Sequence, residues 1–212
     1  MQLTPVQVRI LGCLVEKERT TPDNYPLTMN GLLAACNQST NRYPVVTFTE
    51  ATVSNALLNL RGDNLVRIDY SRSNRGDKYR HVLGSVLDVD DAEISLLAVL
   101  MLRGPQTGAE MRTRTERLHG FAGQGEVDGV LARLAARADP LVVRLAPRPG
   151  QKEPRWAHLL GGDVSPEDVP AAPVPSPASL SRTERIEALE EAVRELTAEV
   201  TALRSRLDAL DL

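Results

Sequence analysis

Aromatic side chains are scarce, only 3% of the 212 residues: two Phe, one Trp and four Tyr. Such a chain lacks the ring platform on which single-stranded bases stack, so that class of nucleic-acid binder is set aside. Its core must be built from Leu, Val, Ile and Ala. Cysteine is scarcer still. Cys13 and Cys36 form no Cys-x-x-Cys pair and no metal spacing. Both fall in apolar, helix-like stretches, where a thiol behaves as a small hydrophobe, and the reading is a reducing compartment without a disulfide. Long hydrophobic runs are also missing. The longest, residues 94–102, is interrupted by Ser95 and falls far short of the roughly 20 residues of a membrane span. No basic stretch followed by an apolar run opens the chain, as a secretory signal requires. A cytoplasmic protein without membrane contact is expected.

No charge of one sign dominates; the net value is −3. The distribution is uneven, however. Residues 1–84 carry 10 basic and 7 acidic side chains, residues 85–162 carry 10 and 10, and residues 163–212 carry 5 and 11. Six of the basic residues, Arg61, Arg67, Arg72, Arg75, Lys78 and Arg80, fall within residues 61–81. A local basic patch is therefore hidden by an acidic tail.

Residues 163–180, DVSPEDVPAAPVPSPASL, hold five prolines. Each removes a backbone donor and fixes φ, which excludes helix and central strand and predicts an extended linker. Beyond it, Ser181-Arg-Thr-Glu184 forms a capping box. Then Ile186, Leu189, Val193, Leu196, Val200, Leu203, Leu207 and Leu210 recur at spacings of 3 and 4 without interruption. β-Branched residues dominate position a and Leu fills position d, the pattern of a parallel two-stranded coiled coil. The flanking pairs agree: Arg185–Glu190, Glu199–Arg204 and Arg206–Asp211 attract in a parallel dimer, and Ala192–Thr197 is neutral. The alternative is a single helix packed back on its own globular part.

The first 162 residues contain a duplication. Lys78-Tyr-Arg-His81-Val-Leu aligns with Arg155-Trp-Ala-His158-Leu-Leu. Upstream, Leu65-Val-Arg-Ile aligns with Leu141-Val-Val-Arg, and Val53, Leu57 and Leu60 share the spacing of Val127, Leu131 and Leu134. Each copy reads as three helices, a strand, a turn and a strand. In copy one, Thr4-Pro5-Val6-Gln7 supplies an N-cap, a first-turn Pro and a capping partner. Met29, Leu32, Leu33 and Cys36 mark the second helix, and residues 47–50 (TFTE) open the third. Strands are expected at residues 65–70 and 78–83. Copy two repeats this with Asp90-x-x-Glu93, Thr107-x-x-Glu110, a helix over residues 126–137 and a hairpin over residues 141–160.

Three helices and a hairpin make a winged helix. The expected fold is mostly α (α+β), with two tandem winged-helix domains (1–84 and 85–162), a Pro-rich linker (163–180) and a C-terminal dimeric coiled coil (181–212). TTPDNYPLTMNGLLAACNQSTNRYPV (20–45), LRGPQTGAEMRTRTERLHGF (102–121) and PRPGQKEPRWAHLLGG (147–162) resemble segments of the YceH-like family of bacterial tandem winged-helix proteins. The resemblance covers residues 1–162 and extends to the acidic tail. It implies the fold and a link to DNA, and it brings no catalytic residue with it.

In a winged helix the third helix commonly enters the major groove. Here Thr52, Asn55 and Asn59 share one stripe of that helix. Asn bonds adenine N6 and N7 together, and Thr reaches phosphate or the thymine methyl. Arg61 follows near the helix end. The turn 71–77 places Arg72 and Arg75 on a wing suited to phosphate or minor-groove contact, with Lys78 at its foot. Arg42, in the polar loop 37–42, is the remaining candidate for a phosphate contact; the alternative is a self-bonded turn. A plain solvated face is the alternative for the helix. Copy two shows Glu126, Asp128 and Gly129 where copy one shows Thr52, Ser54 and Asn55, so a structural or interaction role is expected of it.

His81 and His158 occupy equivalent strand positions, which favours structure over catalysis. Asp88, Asp90, Asp91 and Glu93 lack the Gly and distal Glu of a calcium loop and suit helix capping. The stretch 123–129 misses dinucleotide-binding spacing, and no His-Glu-x-x-His, phosphate-loop or Gly-x-Ser-x-Gly motif occurs. No enzyme, metal or cofactor is expected. The sequence points to a homodimeric regulator of transcription that binds double-stranded DNA through copy one. The alternative is a non-catalytic interaction or architectural protein.

Overall fold

The computed structural model describes residues 2–70, 76–147 and 153–162. The expected linker and coiled coil, with Ile186, Leu189, Val193, Leu196, Val200, Leu203, Leu207 and Leu210, and the wing residues Arg72 and Arg75 lie outside them.

Helix α1 (Pro5–Thr20) begins where the capping chemistry requires. Gln7 N–H donates to Thr4 Oγ1, and Thr4 N–H donates back to Gln7 Oε1 at 2.8 Å, so two of the orphan donors of the first turn are satisfied. Strand β1 (Leu27–Thr28) leads directly into α2 (Met29–Cys36), with Thr28 as the cap. Helix α3 (Glu50–Gly62) is capped by Thr49 and buries Val53, Ala56, Leu57 and Leu60. Strands β2 (Val66–Asp69) and β3 (Lys78–His81) follow, and the sheet order is β1-β3-β2, antiparallel, with Leu27 and Ile68 both opposite Tyr79.

A short helix, α4 (Leu83–Leu87), leads to the second copy: α5 (Asp91–Arg103), α6 (Gly108–Thr115), α7 (Gln124–Ala135), β4 (Val142–Leu145) and β5 (Arg155–His158). Capping boxes at Asp90 and Thr107 start α5 and α6. Gln106 and Trp156 exchange two backbone bonds, at 2.7 and 3.0 Å, so Gln106 takes the place that β1 holds in the first copy. Both copies thus run helix, short strand, helix, helix, hairpin. The duplication read from the sequence is a duplication of the winged-helix arrangement, and the body is the expected mixed α+β, mostly helical fold.

The copies share their interior. Residues 7–15 of α1 and 93–102 of α5 are buried without a break; a helix covered on every side belongs at the centre of a core, not on its surface. The two helices pack on each other, and one continuous apolar cluster runs from Leu3 through Leu14, Leu57, Leu97 and Leu131 to Leu160. Leu3 N–H donates to the Leu160 carbonyl, and Tyr43 N–H to the Leu102 carbonyl, each at 2.8 Å.

Gly12 sets how closely α1 and α5 approach. A Cβ there would stand 2.9 Å from Leu102 Cγ and 3.1 Å from Met101 Cβ. Gly12→Ala gains up to about 1 kcal/mol of helix propensity and incurs roughly 1–3 kcal/mol of overpacking. The expected outcome is a net loss of stability, read as a lower urea midpoint. A variant more stable than wild type would show that the seam has slack.

Candidate nucleic-acid interface

The outward face of α3 follows from its buried one. At about 100° per residue, Val53, Ala56, Leu57 and Leu60 define the core side. The residues turned furthest from it are Ala51, Asn55, Leu58 and Gly62, all exposed. Asn59 and Arg61 are exposed on either flank. Thr52 stands at the edge, half-buried, with its hydroxyl 2.9 Å from the capping Thr49 hydroxyl. Asn55 and Asn59 are therefore exposed on the outward side of the helix, and Thr52 mainly closes the helix start. Leu58, which the Thr52–Asn55–Asn59 stripe passes over, is 59% exposed in the middle of the face.

Beside this face runs an open groove of about 580 Å³, lined by Leu58, Arg61, Gly62, Val66, Arg67, Ile68 and Tyr70. Its floor is apolar and its rim carries two guanidinium groups. Tyr70, at the end of β2, is 72% exposed. Lys78 begins β3 opposite Asp69, half-buried. Arg80 on the same strand lies 3.1 Å from Asp69 in a solvent-exposed ion pair.

Arg42 is a correction to the sequence reading. Its side chain is fully buried and grips Glu16 with two nitrogens, at 2.6 and 3.0 Å. It also donates to the Ala35 and Asn41 carbonyls. Burial pushes the Glu16 carboxyl up, but the Arg42 guanidinium more than offsets this and holds it below the usual glutamate value. A cation so enclosed makes no phosphate contact; it ties the loop after α2 to α1. The rest of that loop is self-bonded too. Phe48 N–H donates to Asn37 Oδ1 at 2.7 Å, Asn37 Nδ2 donates to the Phe48 carbonyl, and Gln38 Nε2 donates to the Thr40 carbonyl.

In the second copy Glu126 and Asp128 are exposed on α7. Glu126 accepts from Ala122 N–H at 2.7 Å, and Asp128 accepts from Gln124 Nε2 at 2.9 Å. Acidic groups on that face repel phosphate, whatever their local bonds. Asp90 and Glu93 form the α5 capping box, and Asp91 pairs with Arg19. Among the described residues no cluster of three or more His, Cys, Asp or Glu has the geometry to hold a metal, and no helix is long and apolar enough to cross a membrane.

The two equivalent histidines differ in setting. Leu83 N–H donates to His81 Nδ1, so the ring proton sits on Nε2 and is donated to Glu18 Oε2 at 2.9 Å. His158 Nδ1 is shut off from water and has no partner among the described residues, and burial pushes its pKa down to about 4. Both cysteines are buried and free.

Comparison with known proteins adds the following. A family model described as "Protein of unknown function, DUF480" matches residues 3–151. A UPF0502 protein of Geobacter sulfurreducens is 49% identical over 191 residues, covering 89% of this chain and 87% of its own length. A UPF0502 protein of Leptothrix cholodnii is 46% identical, with 98% and 93% covered. One from Burkholderia cenocepacia is 45% identical, with 96% and 86% covered.

Proposed function

The chain belongs to the DUF480 family, which includes the bacterial UPF0502 proteins; we propose that it is a homodimeric, double-stranded DNA-binding regulator of transcription that reads bases with α3 of its first winged helix. The observation that carries this reading is the presentation of Asn55 and Asn59 on the outward face of α3, with Arg61 and Arg67 exposed at its C-terminal end. An amide and a guanidinium are the two side-chain types that make bidentate contacts in the major groove, and each good contact discriminates by about 1–3 kcal/mol. Arg72, Arg75 and Lys78 would add phosphate contacts from the wing. The heptads of residues 181–212 would join two chains, so that two weak heads bind through their effective concentration. Sedimentation at micromolar concentration reads that association directly; a monomer removes the dimer from the proposal.

The experiment is retention of random-sequence duplexes on the full-length protein at two salt concentrations, followed by sequencing. An enriched adenine-containing motif with a clear salt slope is expected. Asn55→Ala with Asn59→Ala is expected to abolish the enrichment while leaving much of the salt-dependent, sequence-blind retention, because phosphate contacts position and base contacts specify. Unchanged enrichment in that variant would overturn the role given to α3.

A second reading has its own observation. Leu58 and Tyr70 are exposed beside the half-buried Ile68, in a groove flanked by Arg61 and Arg67. Such a surface suits an acidic peptide with an apolar anchor. No duplex retention at low salt would favour this reading over the first.

A further inference from the structure

The seam between the two winged helices carries a cluster of arginines outside the α3 face. Arg42 follows α2, Arg103 ends α5, Arg114 lies in the last turn of α6, and Arg155 opens β5. Apart from Glu16, the residues of this cluster come from the three segments that resemble the YceH-like family. Those segments are remote in sequence and meet at this one place.

The ion pairing does not balance. Glu16 is taken by Arg42 and is also approached by Lys17 at 3.5 Å. Glu110 is divided between Arg155 at 2.8 Å and Arg114 at 3.4 Å. Arg155 additionally donates to the Pro105 carbonyl at 2.9 Å. Arg103 donates to the neutral amide oxygen of Asn41, and among the described residues no carboxylate stands within ion-pair distance of it. Four guanidinium groups thus face two carboxylates. Burial lowers the Arg103 pKa to about 10, and the like charge of Arg114 pushes the same way. Arg103 is half-buried; a cation held partly out of water without a counter-charge costs stability, and a fold that keeps such a group gains when an anion arrives.

We propose that Arg103 and Arg114, at the seam between the two winged helices, bind a phosphate group. The planar fork of a guanidinium matches tetrahedral oxyanions with two parallel hydrogen bonds. The local excess of at least two positive charges suits a phosphate dianion, which a phosphomonoester or free phosphate supplies near neutral pH. A phosphodiester of the DNA backbone offers the same oxygens with a single charge. The shared chemistry is the phosphate, and its source is what the experiment separates.

The test compares the full-length wild type with Arg103→Gln and Arg103→Lys. In phosphate-free, low-salt buffer, Arg103→Gln is expected to melt at or above the wild-type temperature, since it removes a repelled charge. That outcome also shows that the variant folds. Inorganic phosphate at low millimolar concentration is expected to raise the wild-type midpoint by a few degrees, the Arg103→Lys midpoint by less, and the Arg103→Gln midpoint not at all. This result supports the site with a free phosphate as ligand, and it does not depend on whether the protein binds DNA. If phosphate has no such effect but Arg103→Gln weakens duplex binding and reduces the salt slope by about one, the site is supported with a backbone phosphate as ligand. Equal phosphate shifts in wild type and Arg103→Gln, or none in either, together with unchanged duplex binding, overturn the proposal.

Discussion

Replacing Arg42 with methionine is expected to destabilise the protein by roughly 3–5 kcal/mol, the usual cost of leaving one member of a buried ion pair without its partner. The Arg42 side chain is 0% exposed and that of Glu16 13%. The variant therefore strands a carboxylate that water reaches poorly. Arg42→Met combined with Glu16→Leu is expected to recover most of the loss, because the pair is then replaced by packing rather than broken. The pH dependence gives a separate signature. In the wild type the Glu16 pKa is depressed, so its contribution is fully present above the ordinary glutamate value and is lost as pH falls through the lower folded one. Without Arg42 only the 3.5 Å contact with Lys17 opposes burial, so the folded pKa of Glu16 rises. The loss of stability on acidification is then expected to be smaller than in the wild type. Urea unfolding of the three proteins across the acid range reads both effects. A loss below about 1 kcal/mol, typical of exposed pairs, would mean that the contact is solvated.

The second large effect is an acid transition carried by His158. Its imidazole, ordinarily near 6.5, is pushed down to about 4 by burial. The ring is neutral in the fold and charges readily in the unfolded chain. A depressed folded pKa means stability that is complete above the ordinary value and is lost as pH falls through the folded one, up to about 3 kcal/mol from this group. Other groups titrate over the same range, so the measurement is a difference between wild type and His158→Phe, compared by urea midpoint at each pH. The wild type is expected to lose more stability on acidification than the variant. Parallel pH profiles would show that the His158 ring is solvated. His81 holds the equivalent strand position, and its ring bonds Glu18.

Local chemistry made much of the fold legible. Thr4, Asp90 and Thr107 each announced a helix through a partner three residues on, and the paired strand motifs around His81 and His158 announced the duplication. Strand β1 was not legible, because two residues carry no periodicity; Leu27 and Thr28 are a strand only because β3 lies beside them. The shared core was half-visible. The run over residues 94–102 is apolar on every side, which fails as a membrane span but is what a central helix needs. Its partner α1 lies some ninety residues upstream, beyond the reach of any local pattern. The α3 face was read at its polar positions, and Leu58 was passed over because an exposed leucine leaves no mark in a pattern of buried ones. Arg42 was misread for a related reason. Charge suggests exposure, and only the placement of Glu16 on α1 shows why an arginine is enclosed there.

The close crossing of α1 and α5 at Gly12 also bears on how such a protein changes over generations. Two copies of a motif joined by a loop are ordinarily free to be lost, exchanged or grafted elsewhere one at a time. Here each copy supplies the inner wall of the other, so a gene retaining either alone would encode a chain with its central helix in water. The two copies therefore form a single heritable unit, and destabilising substitutions in the second copy are expected to be felt as lost stability of the first.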